Sequence, residues 1–204
     1  MTPVHTVDVS DLPPYEISVG APLWWGQILL CVIEGTMFSI LIAMYFYLRL
    51  SLDVWPPPGV GPLRLDLPTV ALVPLVLSAI GSYVASEGAK KNRTDMMLAG
   101  MGANLALAGV FLALRFLEWR NFNFTWAADV HGTLVWSILF LHTFDVAADL
   151  LMTVALVVIV AVGRGGPKQR IGVHVDSVVW YFLVLIWFPL YAVIYWGPRL
   201  VGTR

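Results

Sequence analysis

Apolar residues arrive along this chain in long runs rather than in the short alternating stretches of a half-buried sheet. Five runs stand out, roughly 24–48, 68–86, 97–117, 131–163 and 172–197. Each is close to or beyond the ~20 residues that cross the hydrocarbon core of a bilayer as a helix. The breaks between them read "DVWPPPGVGPLRLD", "EGAKKNRTD", "EWRNFNFTWAAD" and "GRGGPKQR", stretches of turn residues and charge that none of the spans could carry. None of these loops is long enough to fold alone. The pattern predicts an all-α integral membrane protein: one bundle of five transmembrane helices over 24–197, an N-terminal segment 1–23 and a C-terminal tail 198–204. No internal repeat is visible.

Composition agrees. Of 204 residues, 59% are hydrophobic and 12% charged, and the mean hydropathy is +0.80, values of a membrane protein rather than a soluble one. Twelve basic residues against thirteen acidic ones leave no electrostatic footprint for nucleic acid. The single cysteine, Cys31, excludes an internal disulfide and a cysteine-pair metal motif. The acidic N-terminal segment lacks the basic start and small-residue cleavage site of a signal peptide, so the first span is expected to insert and stay. Lys90, Lys91 and Arg93, with Arg164, Lys168 and Arg170, crowd two short loops on one side. This favours a cytoplasmic N-terminus and a C-terminus outside. Trp24, Trp25, Trp119 and Trp196 fall at predicted span ends, where aromatic belts form.

The polar exceptions inside the spans carry the candidate chemistry. On the third span, Ala99, Gly102, Ala106, Gly109 and Ala113 recur at a 3-4-3-4 spacing, which lines one face with small residues and lets another helix approach closely. Arg115 lies within a turn of that span's end and is expected to snorkel. On the fourth span, taking His142 as zero at about 100° per residue, Asp145 falls near −60° and Asp149 and His131 near −20°. All four share one wedge. Counting back about 20 residues from Arg164 puts Asp145 and Asp149 in the outer third of the membrane, with His142 near the interface. Glu34, ten residues after Trp24, is about 15 Å deep and should be neutral or paired with a polar group. Four readings compete. His142, Asp145 and Asp149 could ligate a metal, but three ligands on one helix need a fourth from elsewhere. Glu34 and the aspartates could serve a proton or ion pathway, against which stands the lack of an inverted repeat. The groups could face another subunit or lipid headgroups, or hydrogen-bond between helices of the same bundle.

The segments "WWGQILLCVIEGTMFSILIAMYFY", "WPPPG", "FLEW", the Gly132 to His142 spacing and "VVWYFLVLIWFPLYAVIYWG" resemble, in that order, the membrane core of cytochrome c oxidase subunit III. The match runs from about Trp24 to Trp196. Glu34 falls on the glutamate of the family's Ser-Glu segment, and Glu118 on the one that closes a later helix. His142 matches the first histidine of the family's His-Gly-Leu-His run. Trp180, Trp187, Tyr195 and Trp196 match the aromatic ladder of the last helix. The resemblance implies the subunit III fold without its first two helices, so that the family's lipid-filled cleft would be open or filled by another subunit. Asp145 stands for the second histidine of that run and Asp149 for a glycine. On the last helix Tyr181 replaces a histidine, Val184 an aspartate and His174 a glutamate. Charge is read as having left the last helix and appeared on the fourth.

What the resemblance implies for function is a non-catalytic accessory subunit of a haem-copper terminal oxidase in a bacterial cytoplasmic membrane. It would flank catalytic subunit I and support stability, lipid environment and proton uptake. Haem and copper would belong to the partner subunits, with no catalytic, cofactor or metal residue on this chain and phospholipid as a possible ligand. The residues agree: His5 and His174 are read as lying outside the spans, and His131 and His142 share one helix, a poor arrangement for opposed axial haem ligands. Glu34, His142, Asp145 and Asp149 are the candidate partner-facing groups, with Glu118 at a helix end. A subunit-III-like component associated with nitric oxide reductase and a small proton- or ion-conducting membrane protein are the alternatives.

Overall fold

The computed structural model describes residues 21–58, 60 and 63–200. The expectations for His5, for most of segment 1–23 and for the end of the tail lie outside the described residues. Five long helices cross from end to end: α1 (Pro22–Ser51), α2 (Asp66–Lys90), α3 (Thr94–Arg120), α4 (Val130–Ile159) and α5 (Pro167–Tyr191). All five are long and apolar enough to span a membrane. α4 runs on to a kink within Val160–Arg164, where the backbone leaves helical geometry at Gly163; a π-helical turn extends α5 through Ala192–Trp196, and a single turn, α6 (Gly197–Leu200), ends the described chain.

Local chemistry sets the helix ends. Proline stands in the first turn of α1 and of α5, where its missing N–H costs no helical hydrogen bond. Asp129 caps α4, its Oδ1 accepting from the backbone N–H of Gly132 at 2.7 Å. Gly163, at φ 79°, closes α4 in the left-handed region that glycine adopts freely. Between α2 and α3 the chain reverses within Lys91–Arg93, with Asn92 at φ 56°, a conformation asparagine tolerates better than most residues.

Lipid offers helices no hydrophobic gain for meeting one another, so close packing and buried hydrogen bonds must hold the bundle. The tightest contact joins α2 to α3. Gly81 lies against the backbone of Gly100 and Asn104, and Gly88 against that of Met97; a Cβ on Gly81 would come within 2.7 Å of the Asn104 nitrogen. On the same face of α2, Ser78, Ser82 and Ser86 recur once per turn and are all buried. Ser78 Oγ accepts from the indole N–H of Trp180 at 2.9 Å. The Ser82 hydroxyl accepts from the side-chain amide of Asn104, and its carbonyl accepts from the Ser177 hydroxyl at 3.0 Å. Ser86 bonds to His174 Nδ1 at 2.7 Å. This polar seam ties α5, the most deeply buried span, to α2 and α3, while α1 is the least buried. Only Phe38 and Tyr45 of α1 are buried, and Leu29, Ile33 and Ile40 on its outer face are mostly exposed, as a lipid-facing surface requires.

Two expectations change here. The small-residue stripe Ala99, Gly102, Ala106, Gly109, Ala113 receives no helix of this chain: all five residues are exposed, and a Cβ on Gly102 or Gly109 would meet nothing within 4 Å. The close approach uses the neighbouring face, through Gly100, because that is where α2 offers glycine and serine in return. His174, read as outside the spans, lies on α5, which starts at Pro167 rather than at 172.

Gly81→Val should cost about 1–3 kcal/mol, since overpacking must push two backbones apart. Gly102→Val should stay within about 0.5 kcal/mol. Unfolding of the purified chain in detergent and denaturant measures both; equal losses at the two positions would contradict this packing.

Candidate functional site

Besides the serine seam, two polar features stand out in the apolar interior of the described residues. The first is a groove of about 400 Å³ between the N-terminal half of α1 and the facing parts of α4 and α5, lined by Glu34, Asp145, Asp149 and Asp176. Over that half α1 packs loosely, since none of its residues before Phe38 is buried. The Thr153 hydroxyl lies 2.9 Å from Asp176 Oδ2 and 3.1 Å from the Asp149 carbonyl oxygen, with one hydrogen to share between them. Oδ2 of Asp145 and of Asp149 is buried without a hydrogen-bond partner. None of the four carboxylates makes an ion pair among the described residues.

The second feature is a buried charge pair. Arg115 is fully buried and Glu118 only 4% exposed. Arg115 Nη1 donates to Glu118 Oε2 at 2.6 Å and to the Tyr195 hydroxyl at 3.1 Å, while the Tyr195 hydroxyl donates to Glu118 Oε1. The guanidinium carbon sits 4.0 Å from the ring centroid of Trp187 and 5.2 Å from that of Phe111, and stacking of this kind supports a cation that has lost its water. His142 packs against Trp187 with ring centroids 4.6 Å apart. Its Nε2–H donates to the Leu183 carbonyl at 3.1 Å. Arginine, indole and imidazole together knit α3, α4 and α5.

The wedge on α4 therefore divides. Asp145 and Asp149 line the groove, whereas His142 and His131 are buried in the bundle, His131 between Trp55 and Phe124 at centroid distances of 4.9 and 5.7 Å. His142 cannot face a partner: Phe38, Phe111 and Trp187 surround it. Among the described residues no group of three or more histidine, cysteine or acidic side chains is placed to hold a metal ion. Depth changes as well. The α4 span runs Val130–Gly163, so Asp145 and Asp149, sixteenth and twentieth of its 34 residues, flank the middle of the helix rather than its outer third.

Arg115 does not snorkel. The helix continues to Arg120, and an i, i+3 pairing with Glu118 turns the guanidinium inward; that spacing was available in the sequence as a signal. Asp176 escaped notice altogether, and with it the reading that charge had left the last helix fails. "GGPKQR" marks a helix start at Pro167, which places Asp176 in the third turn of α5, opposite α4. Cys31, half-buried, takes no part in either feature.

The chain matches the family model for cytochrome c oxidase subunit III over residues 13–198. It is similar to cytochrome c oxidase subunit 3 of Ornithorhynchus anatinus, 23% identical over 180 residues that cover 85% of this chain and 69% of that relative. The subunit 3 of Petromyzon marinus is 25% identical over 181 residues, with the same two coverages. The probable cytochrome c oxidase subunit 3 of Nocardia farcinica is 26% identical over 187 residues, covering 89% of this chain and 88% of that relative.

Removing one member of the buried pair strands the other. Glu118→Leu is expected to destabilise the chain by about 3–5 kcal/mol. The double substitution Arg115→Met with Glu118→Leu should restore most of that loss, because two apolar side chains replace two desolvated charges. Detergent-unfolding midpoints of the two variants measure the difference; a double variant as unstable as the single one would show that the pair is not coupled.

Proposed function

Since the chain belongs to the cytochrome c oxidase subunit III family, we propose that it is a non-catalytic accessory subunit of a haem-copper terminal oxidase in a bacterial cytoplasmic membrane. It flanks the catalytic subunit and supports its stability, lipid environment and proton uptake. Haem and copper lie in partner subunits. Family membership over residues 13–198 carries this reading; fold alone would not. The placing of His131 and His142 supports it, since both rings are packed in this chain's own interior. The lysine- and arginine-rich end of the bundle faces the cytoplasm, so α1 enters from that side and α6 ends on the other.

The groove supplies the chemistry of the contact. Four carboxylates from three helices, without a basic partner among the described residues, repel one another in a medium that screens poorly. Protons, or donors from outside this chain, must offset that charge. A basic or hydrogen-bond-donating surface on the neighbouring subunit meets Asp145 and Asp149, and the exposed small-residue stripe of α3 lets a neighbouring helix approach closely.

A purification tag after Arg204 tests the assignment. In mild detergent the chain should co-elute with haem absorbance, and identification of its companions distinguishes a terminal oxidase from a nitric oxide reductase. A chain that runs alone, without haem, would favour the ion-conducting reading. Changing Asp145 and Asp149 together to leucine should leave the chain inserted but weaken its retention in the complex. Full assembly with impaired turnover or pumping would instead assign the aspartates to a proton path. The double change to asparagine separates charge from hydrogen bonding.

A further inference from the structure

The two halves of α1 are held very differently. The second half is anchored: Phe38 is buried against His142 of α4 at a centroid distance of 6.4 Å, Tyr45 is buried against Trp55 at 5.4 Å, and Arg49 Nη1 donates to the Gly197 carbonyl at 2.8 Å. Gly35 still touches α5, where a Cβ would stand 3.5 Å from the Phe182 ring. Before Phe38, however, no residue is buried, and a Cβ on Gly26 would meet nothing within 4 Å. The loosely held half is also the half that brings charge to the groove. Its one acid, Glu34, lines the groove together with Asp145 and Asp149 of α4 and Asp176 of α5. No basic side chain among the described residues lines it, and Cys31, one turn before Glu34, is the other titratable group on this stretch of α1.

We infer that the first half of α1 is a strap, pivoting at Phe38, whose closure on α4 and α5 is set by the charge in the groove. In lipid this half gains little by exchanging hydrocarbon for the surfaces of other helices, so no strong apolar attraction holds it shut. Ionised, Glu34 repels the three aspartates facing it in a medium that screens poorly, and the strap stands off. Protonated, a carboxyl becomes a hydrogen-bond donor, and the same groups pair across the groove. Acceptors for such bonds are in place, since Oδ2 of Asp145 and of Asp149 is buried without a partner. A cation brought by another chain would offset the same repulsion and draw α1 in as well. The strap thus adds a response of this chain to the contact proposed above. It rests on the groove and on the packing of α1, and not on the chain's place in an oxidase.

Spin labels read the movement. In the full chain carrying Cys31→Ser, Leu29→Cys marks the strap and Ala99→Cys marks α3, both at exposed positions. Leu50→Cys, also exposed, marks the anchored half in a second pair with Ala99→Cys. The labelled chains are placed in phosphatidylcholine liposomes, and pulsed electron resonance gives the label distances at pH 4 and pH 9. The distance from position 29 to 99 should be shorter, and its distribution narrower, at pH 4, where carboxylates take up protons. The distance from 50 to 99 should not change. Glu34→Gln should hold the first pair at the short distance at both pH values, because an amide donates hydrogen bonds without charge. Glu87→Gln, outside the groove, should leave the parent's shift intact. Equal distributions at the two pH values in the parent overturn the inference, as does a shift that survives Glu34→Gln or one that appears equally in the anchored-half pair. Neither haem nor a companion subunit enters the readout, so its failure is distinct from failure of the accessory-subunit assignment.

Discussion

Ser78, Ser82 and Ser86 sit one turn apart on α2, and the arrangement of the other helices depends on what they meet. Where lipid surrounds the helices, an apolar side chain gains little by leaving one hydrocarbon surface for another. A hydroxyl or an indole N–H without a partner, by contrast, is expensive in that medium. The bundle is accordingly organised by its polar atoms and its smallest residues. Trp180, Ser177 and His174 on α5 and Asn104 on α3 all reach the serine row, and glycine at 81, 88 and 100 lets the backbones come close enough for them to do so. Aliphatic residues such as Leu75, Ile138, Leu139 and Leu183 fill the space between these polar contacts, and others, such as Leu29, Ile33 and Ile40, cover the outward faces.

Charge is handled in two opposite ways within this frame. Arg115 and Glu118 are completely enclosed but matched, one cation to one carboxylate, with Tyr195 taking the remaining carboxylate oxygen and Trp187 and Phe111 covering the guanidinium. Such a pair gains little stability over apolar residues of the same shape, yet it fixes a register, because neither partner tolerates the loss of the other. In the groove four carboxylates are gathered without a cation among the described residues, and the loosely packed first half of α1 leaves them open on one side. The closed pair is a feature of the fold. The open groove is where the fold leaves chemistry to something outside it.

The basic end belongs to neither class. Lys90, Lys91, Arg93 and Lys168 are exposed at or beside the ends of α2, α3 and α5, and their positions are set indirectly, by the Ser86–His174 bond and the cluster around Met97 beneath them. The same polar seam that holds the interior thus fixes the spacing of charges at the surface.

Length and hydropathy alone determined that five helices cross a membrane, since the thickness of the hydrocarbon core sets the run of apolar residues each must have. The order of short family segments from Trp24 to Trp196 determined the family in the same way, because local motifs survive in sequence without knowledge of their neighbours. Helical periodicity also placed Asp145 and Asp149 on one face. What lies opposite that face was not legible: it depends on how closely α1 packs and on where α5 begins, so Asp176 joined the groove and His142 left it for the core only once three helices were in place. Arg115 followed the same rule, read as an end residue until Glu118, Tyr195 and Trp187 closed around it. The α3 stripe reversed it, since small residues permit a close approach but do not say whose. Periodicity specifies a side chain's direction about its own helix axis; which neighbour fills that direction is a property of packing among helices, and packing is tertiary.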